Sequence, residues 1–161
     1  MHVAIPLLIY EIPPIKNKYL VNRLALVIGA MFPDFFDKPL ELLGISSGRG
    51  YCHTLFFVGL TFVILFLATK KNKAVSYPFL IGMLIHLLLD MPVPLFYPFI
   101  QYQFVSIHAN PIEYWTNNFT KSLIFFTGEI IGAIIIIFVT INNKLYSKSA
   151  VLNYLKTKEK I

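Results

Sequence analysis

Residues 119–141, FTKSLIFFTGEIIGAIIIIFVTI, are apolar from Ser122 onward except at Glu129. At a rise of about 1.5 Å per residue, a helix over this stretch crosses a hydrocarbon core of about 30 Å and therefore reads as a membrane span. Residues 54–69, TLFFVGLTFVILFLAT, carry no charge and just reach that thickness when residues 51–53 extend them. Residues 74–91, AVSYPFLIGMLIHLLLDM, read as a helix stopped by Pro92 and Pro94, because proline lacks the amide donor and restricts the residue before it. Residues 20–32, LVNRLALVIGAMF, read as a shorter helix stopped by Pro33. Residues 3–12 are too short to span and end at Pro13 and Pro14, so a half-inserted or tilted segment is expected there. That segment lacks the basic start and small-residue cleavage site of a signal peptide. The expected fold is all-α, a polytopic helical membrane protein with about four membrane helices plus the half-inserted N-terminal segment. A helical membrane domain over residues 1–145 would be followed by a basic cytoplasmic tail over residues 146–161.

Composition points the same way. Of the 161 residues, 57% are apolar or aromatic and 14% are charged, whereas a soluble domain wets its surface with about 25% charged residues. Much of this surface must face something other than water, and membrane lipid is the simplest partner. The net charge of +6 raises the question of nucleic acid, and its distribution answers it. Lys16, Lys18, Arg23, Lys70, Lys71, Lys73, Lys144, Lys148, Lys156, Lys158 and Lys160 fall on one side when the chain is threaded alternately through a bilayer. The other side receives Lys38, Arg49 and Lys121. That asymmetry follows the positive-inside rule, predicts a multi-pass protein of the cell membrane with cytoplasmic basic loops, and argues against nucleic acid as a partner. The basic tail either lies on anionic headgroups or is simply solvated.

The residues capable of chemistry collect on the outer side in this threading. His86 and Asp90 are spaced by four, which puts an imidazole and a carboxylate on one helix face, about 5 to 6 Å apart at their β-carbons. Such a pair binds a metal or, equally well, forms a hydrogen bond that caps the helix end. A carboxylate at a helix C-terminus opposes the macrodipole, which favours a compensating cation. Asp34 and Asp37 in FPDFFDKP suit an ordinary turn or helix start as well as a ligand set. Arg49, between Gly48 and Gly50, either holds an anionic oxygen near His53 or is a surface arginine in a flexible turn.

The stretches FPDFFDKP, GRGYCHTLFF and GMLIHLLLDMPVPLFYP, preceded by His2, stand in an order that resembles the YdjM-type family of membrane-bound, predicted metal-dependent hydrolases. The resemblance runs from His2 to about Pro98. It implies a metal site carried by His2, Asp34, His53, His86 and Asp90. The family's typical His-Arg-Gly-x-Thr-His-Ser becomes GRGYCHT here, with Gly48 in place of the first histidine. The second carboxylate after Pro33 is displaced to Asp37, and Lys38 stands where a histidine often follows. The His86–Asp90 element is also similar to part of the zinc-dependent phospholipase C pattern.

If such a site is catalytic, a divalent metal ion, zinc first among the candidates, would lower the pKa of a water toward about 7 and supply hydroxide. His53, His86 and Asp90 are the principal expected ligands, with His2 and Asp34 completing the shell. Asp37 would act as general base or orient a histidine, and Arg49 would stabilise negative charge on a phosphoryl or acyl oxygen. The expected function is hydrolysis of a lipid-linked ester or phosphoester at the outer membrane face. Two rivals stay open, a non-catalytic membrane scaffold and an ion or proton pathway using His86, Asp90 and Glu129. Cys52 reads as a buried filler more readily than as a ligand. Tyr97, Phe99, Tyr102, Phe104, Tyr114, Trp115 and His108 suit an aromatic interface belt or a lid over the site.

Overall fold

The computed structural model describes residues 1–18, 21–102 and 110–156. Leu20, Phe104, His108, Lys158 and Lys160 lie outside the described residues. Among the described residues the chain is all-α, without strands, in the order α1 (Ala4–Glu11), α2 (Pro13–Lys18), α3 (Arg23–Leu42), α4 (Leu55–Ala68), α5 (Lys73–Leu89), α6 (Pro111–Lys121), α7 (Leu123–Asn142) and α8 (Lys148–Lys156). The helix starts are written in the sequence. Asn22, Thr54, Asn72 and Asn110 each turn a side-chain oxygen onto a backbone N–H of the first turn, satisfying a donor that the helix itself leaves unpaired.

One proline expectation holds and another needs correction. The N-terminal segment ends where expected, α1 stopping at Glu11 with Ile12 extended, and Pro13 and Pro14 then open α2, as proline can in a first turn. Pro33 does not stop the helix before it: α3 continues through Pro33 and Pro39 to Leu42. An interior proline costs about 3 kcal/mol, and tertiary packing offsets that cost here, because Pro33 is fully buried in a helix laid along α5.

The α3–α5 contact is unusually close. A Cβ added at Gly29 would overlap the backbone carbonyl of Phe79, and one at Gly82 would overlap the backbone of Leu26, Gly29 and Ala30. Small residues at a helix crossing let the two backbones touch, which is how helices associate where lipid removes the hydrophobic drive between them. Around this crossing Ala25, Phe79, Met83 and Leu87 form a core that also takes Val58 of α4 and Val93. A second cluster joins Ala4 and Leu7 of α1 to Ile135 and Val139 of α7, and Tyr154 of α8 closes it.

Tyr154 ties α8 back to the bundle. Arg23 is buried between its ring and that of Tyr10, with centroid distances of 4.2 and 4.5 Å, and donates to the Tyr154 carbonyl at 2.7 Å. The Tyr154 hydroxyl donates to Glu11 at 2.7 Å. Arg23, counted from the sequence among the loop charges, is therefore a packed residue.

By length and composition, α7 (20 residues) is able to cross a membrane, while α4 (14 residues) and α5 (17 residues) are apolar but shorter. Their outward faces remain apolar: Phe56, Leu60, Ile64 and Leu67 of α4 and Ile124, Ile134 and Phe138 of α7 are exposed. A contiguous apolar exterior of this kind marks contact with a membrane or a protein partner.

The crossing gives a direct test. Gly82→Val should destabilise the protein by about 2 kcal/mol or more, since overpacking against backbone has no side chain to displace. Gly59→Val, on a helix face with nothing within 4 Å of the new carbon, should leave the thermal midpoint in detergent unchanged. Equal midpoints for the two variants would contradict the close crossing.

Candidate metal centre

The close approach of α3 and α5 has a local chemical consequence one turn along. His86 on α5 is fully buried, and its Nδ1 lies 2.7 Å from the Ala30 carbonyl oxygen of α3. A carbonyl only accepts, so Nδ1 carries the hydrogen and Nε2 of the neutral ring is left with a lone pair. Four residues on, Asp90 caps α5 and brings Oδ2 to 3.4 Å from that Nε2.

His53 arrives from the turn between α3 and α4, and Asp37 of α3 holds it. One oxygen of the fully buried Asp37 carboxylate accepts from the backbone N–H groups of Gly50 and Cys52, both at 3.0 Å, and lies 2.7 Å from His53 Nδ1. These contacts fold the turn around the carboxylate and commit Nδ1 as a donor. His53 Nε2 is therefore also a lone pair, and it faces His86 Nε2 at 3.1 Å. Asp90 Oδ2 is 3.3 Å from it, and Asp34 Oδ1 lies 3.6 Å from His53 Nε2 and 3.9 Å from His86 Nε2.

Acceptors thus converge on one point from Asp34, His53, His86 and Asp90, with one ligand atom of each within 4.8 Å of the others. Neutral acceptors and carboxylates at this separation repel unless a cation lies among them. A proton relieves part of the conflict: burial works against charge on His53, but the Asp37 and Asp90 carboxylates outweigh it and hold its pKa above the ordinary value. Asp90 is held well below the usual carboxylate range, since His53, Arg49, His2 and His86 together outweigh its burial. A proton serves only one pair, however. Asp34 Oδ1 is buried and has no hydrogen-bond partner, an orphan acceptor aimed at both imidazoles. A nitrogen and oxygen donor set with oriented imidazoles fits a divalent ion such as zinc, and the Asp37 and Ala30 contacts are the outer hydrogen bonds that metal-ligating histidines make.

The other residues singled out in the sequence fall around this cluster. His2 is outside the set of four but adjoins it, with Nε2 at 3.6 Å from Asp90 Oδ1 and its ring 4.4 Å from that of His86. Burial lowers its pKa, offset in part by Asp90 and Asp34, so the ring is neutral at pH 7. Its buried Nδ1 has no partner. Arg49 donates to Asp90 Oδ1 at 2.8 Å and lies over Phe125. Asp37 stands behind His53, on the ring nitrogen remote from the cluster. Burial, the Asp37 charge and a hydrogen bond to Asp37 push the Cys52 thiol up to about 12, and the Cys52 backbone N–H donates to the same carboxylate. Glu129, more than half exposed and 3.3 Å from the Met1 amino nitrogen, lines a small cavity together with His2, Arg49 and Asp90.

Glu41 was missed. It is 1% exposed, accepts from Trp115 Nε1 at 3.1 Å and lies 3.4 Å from Lys38 Nζ. Its place four residues after Asp37 and seven after Asp34, on one helix face, was the available signal.

A family model described as YdjM inner membrane protein matches residues 1–152. No curated protein and no solved structure matches the chain.

Detergent-purified protein should hold near one equivalent of divalent metal by mass spectrometry, and His86→Ala or Asp90→Ala should abolish it. Asp37→Asn should weaken metal affinity by about 10 to 100-fold, the usual loss when an outer hydrogen bond to a ligating histidine is removed. Because a proton must leave His53 before it ligates and its pKa is raised, affinity should rise with pH through neutrality and fall as His53 is protonated below it. A pH-independent affinity between about 5 and 8, measured by competition with a chromogenic chelator, would contradict the assignment of His53.

Proposed function

Because the chain belongs to the YdjM inner membrane protein family, we propose that it is a membrane-embedded, metal-dependent hydrolase that cleaves a lipid-linked ester or phosphoester at the outer face of the cell membrane. The observation that carries this reading is the convergence of two oriented imidazole lone pairs and two carboxylates, one of them an orphan acceptor, at a single buried point.

In this reading α3, α4, α5 and α7 are the membrane helices and α1 is half-inserted, the basic segments are cytoplasmic, and residues 146–161 form a cytoplasmic tail that α8 docks on the bundle. His53, His86, Asp90 and Asp34 hold zinc or another divalent cation, and His2 completes the site beside Asp90. A cation held there would supply Lewis acidity at neutral pH. Asp37 fixes the ring of His53 and its tautomer. Neutral His2, with an unpartnered nitrogen, is suited to take up a proton at the edge of the site. Arg49, about one third exposed, retains N–H donors beyond the one given to Asp90 and meets negative charge that develops on a phosphoryl or acyl oxygen.

Purified protein loaded with zinc or manganese should release product from lipid esters or phosphoesters, and chelation or His53→Ala should remove the activity. Arg49→Met should lower kcat by about 100-fold, as loss of one donor to a developing oxyanion does elsewhere. Stoichiometric metal with no turnover on any lipid ester would sink the hydrolase reading and favour a scaffold.

A further inference from the structure

Next to the metal centre lies a cavity of about 570 Å³, between α3, the turn carrying Arg49, α6 and the start of α7. Its size is that of a small-molecule site, and so is its chemistry, a mostly apolar and aromatic wall with a few convergent polar groups. Trp115, Phe119 and Phe125 form the wall, and Lys38, Glu41 and Arg49 supply the charges. Glu41 is buried and already engaged by the Trp115 N–H and the Lys38 ammonium. The lining therefore carries an excess of one positive charge, and Lys38 Nζ stands 5.3 Å from the Trp115 ring centroid. Arg49 belongs both to this cavity and to the metal centre, through its contact with Asp90.

We propose that this cavity binds the phosphate-bearing end of an anionic membrane lipid, Lys38 and Arg49 taking the phosphate and the Trp115–Phe119–Phe125 wall taking the apolar chain next to it. The proposal rests on the hydrolase reading and names the substrate class of that site. A planar guanidinium fork and a point-charge ammonium are the two groups that recognise phosphate oxygens, and the lining offers one of each. The aromatic wall continues onto the first turn of α7, where Leu123 and Ile124 are 74% and 83% exposed on the helix long enough to span a bilayer. A free polar solute gains nothing from that continuation, whereas a lipid keeps its acyl chains in hydrocarbon while its phosphate reaches Arg49.

Trp115 is the single tryptophan of the chain, so its fluorescence reports on this cavity without a label. Dihexanoylphosphatidate added to detergent-purified protein should change Trp115 emission saturably. Inorganic phosphate should bind at least about tenfold more weakly, and dihexanoylglycerol should give no saturable change. Lys38→Met should weaken the phosphatidate response by about tenfold. Because that substitution strips buried Glu41 of its ammonium partner, Asn118→Leu is the second variant: it fills the cavity from a half-buried position on α6 and should weaken the response as well. Metal content measured on the same samples separates this proposal from the hydrolase reading. Bound metal with no phosphatidate response, an equal response to dihexanoylglycerol, inorganic phosphate binding as tightly as phosphatidate, or an undiminished response in folded Lys38→Met overturns the lipid-phosphate site and leaves the metal centre standing. A phosphatidate response without bound metal overturns the hydrolase reading instead.

Discussion

The contact on which the rest of the structure depends is the glycine crossing of α3 and α5. Without a Cβ at Gly29 or Gly82 the two backbones approach until Ala30 lies against α5, and the Ala30 carbonyl then meets His86 Nδ1 at 2.7 Å. Packing here decides chemistry. The hydrogen bond selects the tautomer of His86, and the tautomer decides that a lone pair faces the cluster. A slip of α5 by one helical turn, about 5.4 Å, would carry His86 and Asp90 together away from Asp34. Asp34 and Asp37 ride on the same α3 that carries Gly29, so the ends of both helices that carry the cluster are placed by one crossing. The buried Pro33 fits this picture: the helix tolerates it because what lies beyond is held by α5 and by the turn folded on Asp37.

Asp37 performs the same service for the loop. A turn rich in glycine has many conformations and gives up much entropy when ordered. One buried carboxylate oxygen receiving the Gly50 and Cys52 amides together with His53 Nδ1 orders that turn and orients its histidine at once. His53 and His86 are thus fixed by unlike means, a side-chain carboxylate for one and a main-chain carbonyl for the other, and still present matching lone pairs.

Much of this was legible in the sequence, for physical reasons that differ by element. The apolar stretches of α4, α5 and α7 are visible in composition alone, and the spacing of His86 and Asp90 is local to one helix. Membership of the family was carried by short motifs in order, and the match over residues 1–152 bears it out. What was not legible depended on partners far away in the chain. Pro33 looked like a stop because the offset to its cost comes from α5. Arg23 looked like a loop charge because the tyrosines that enclose it come from α1 and α8. Glu41 drew no reading at all because Trp115, which donates to it, is 74 positions on.

Glu41 also relates two of the three places where the chain differs from the motifs it resembles. Gly48 stands where a histidine is typical, and Lys38 where one often follows. In the structure both sit at Glu41: Lys38 Nζ is 3.4 Å from its carboxylate, and Gly48, with φ of +78°, leaves the space into which a Cβ would drive straight at that carboxylate. A histidine at position 48 would need both a backbone that side chains rarely adopt and a displaced Glu41. The two departures are therefore not independent losses scattered along the chain. They meet in one neighbourhood, in which a buried carboxylate, an ammonium and an indole N–H lie beside the cluster of Asp34, His53, His86 and Asp90. The cluster of Asp34, His53, His86 and Asp90 does not depend on Glu41, because its supporting contacts run through Ala30 and Asp37, earlier along the same face of α3.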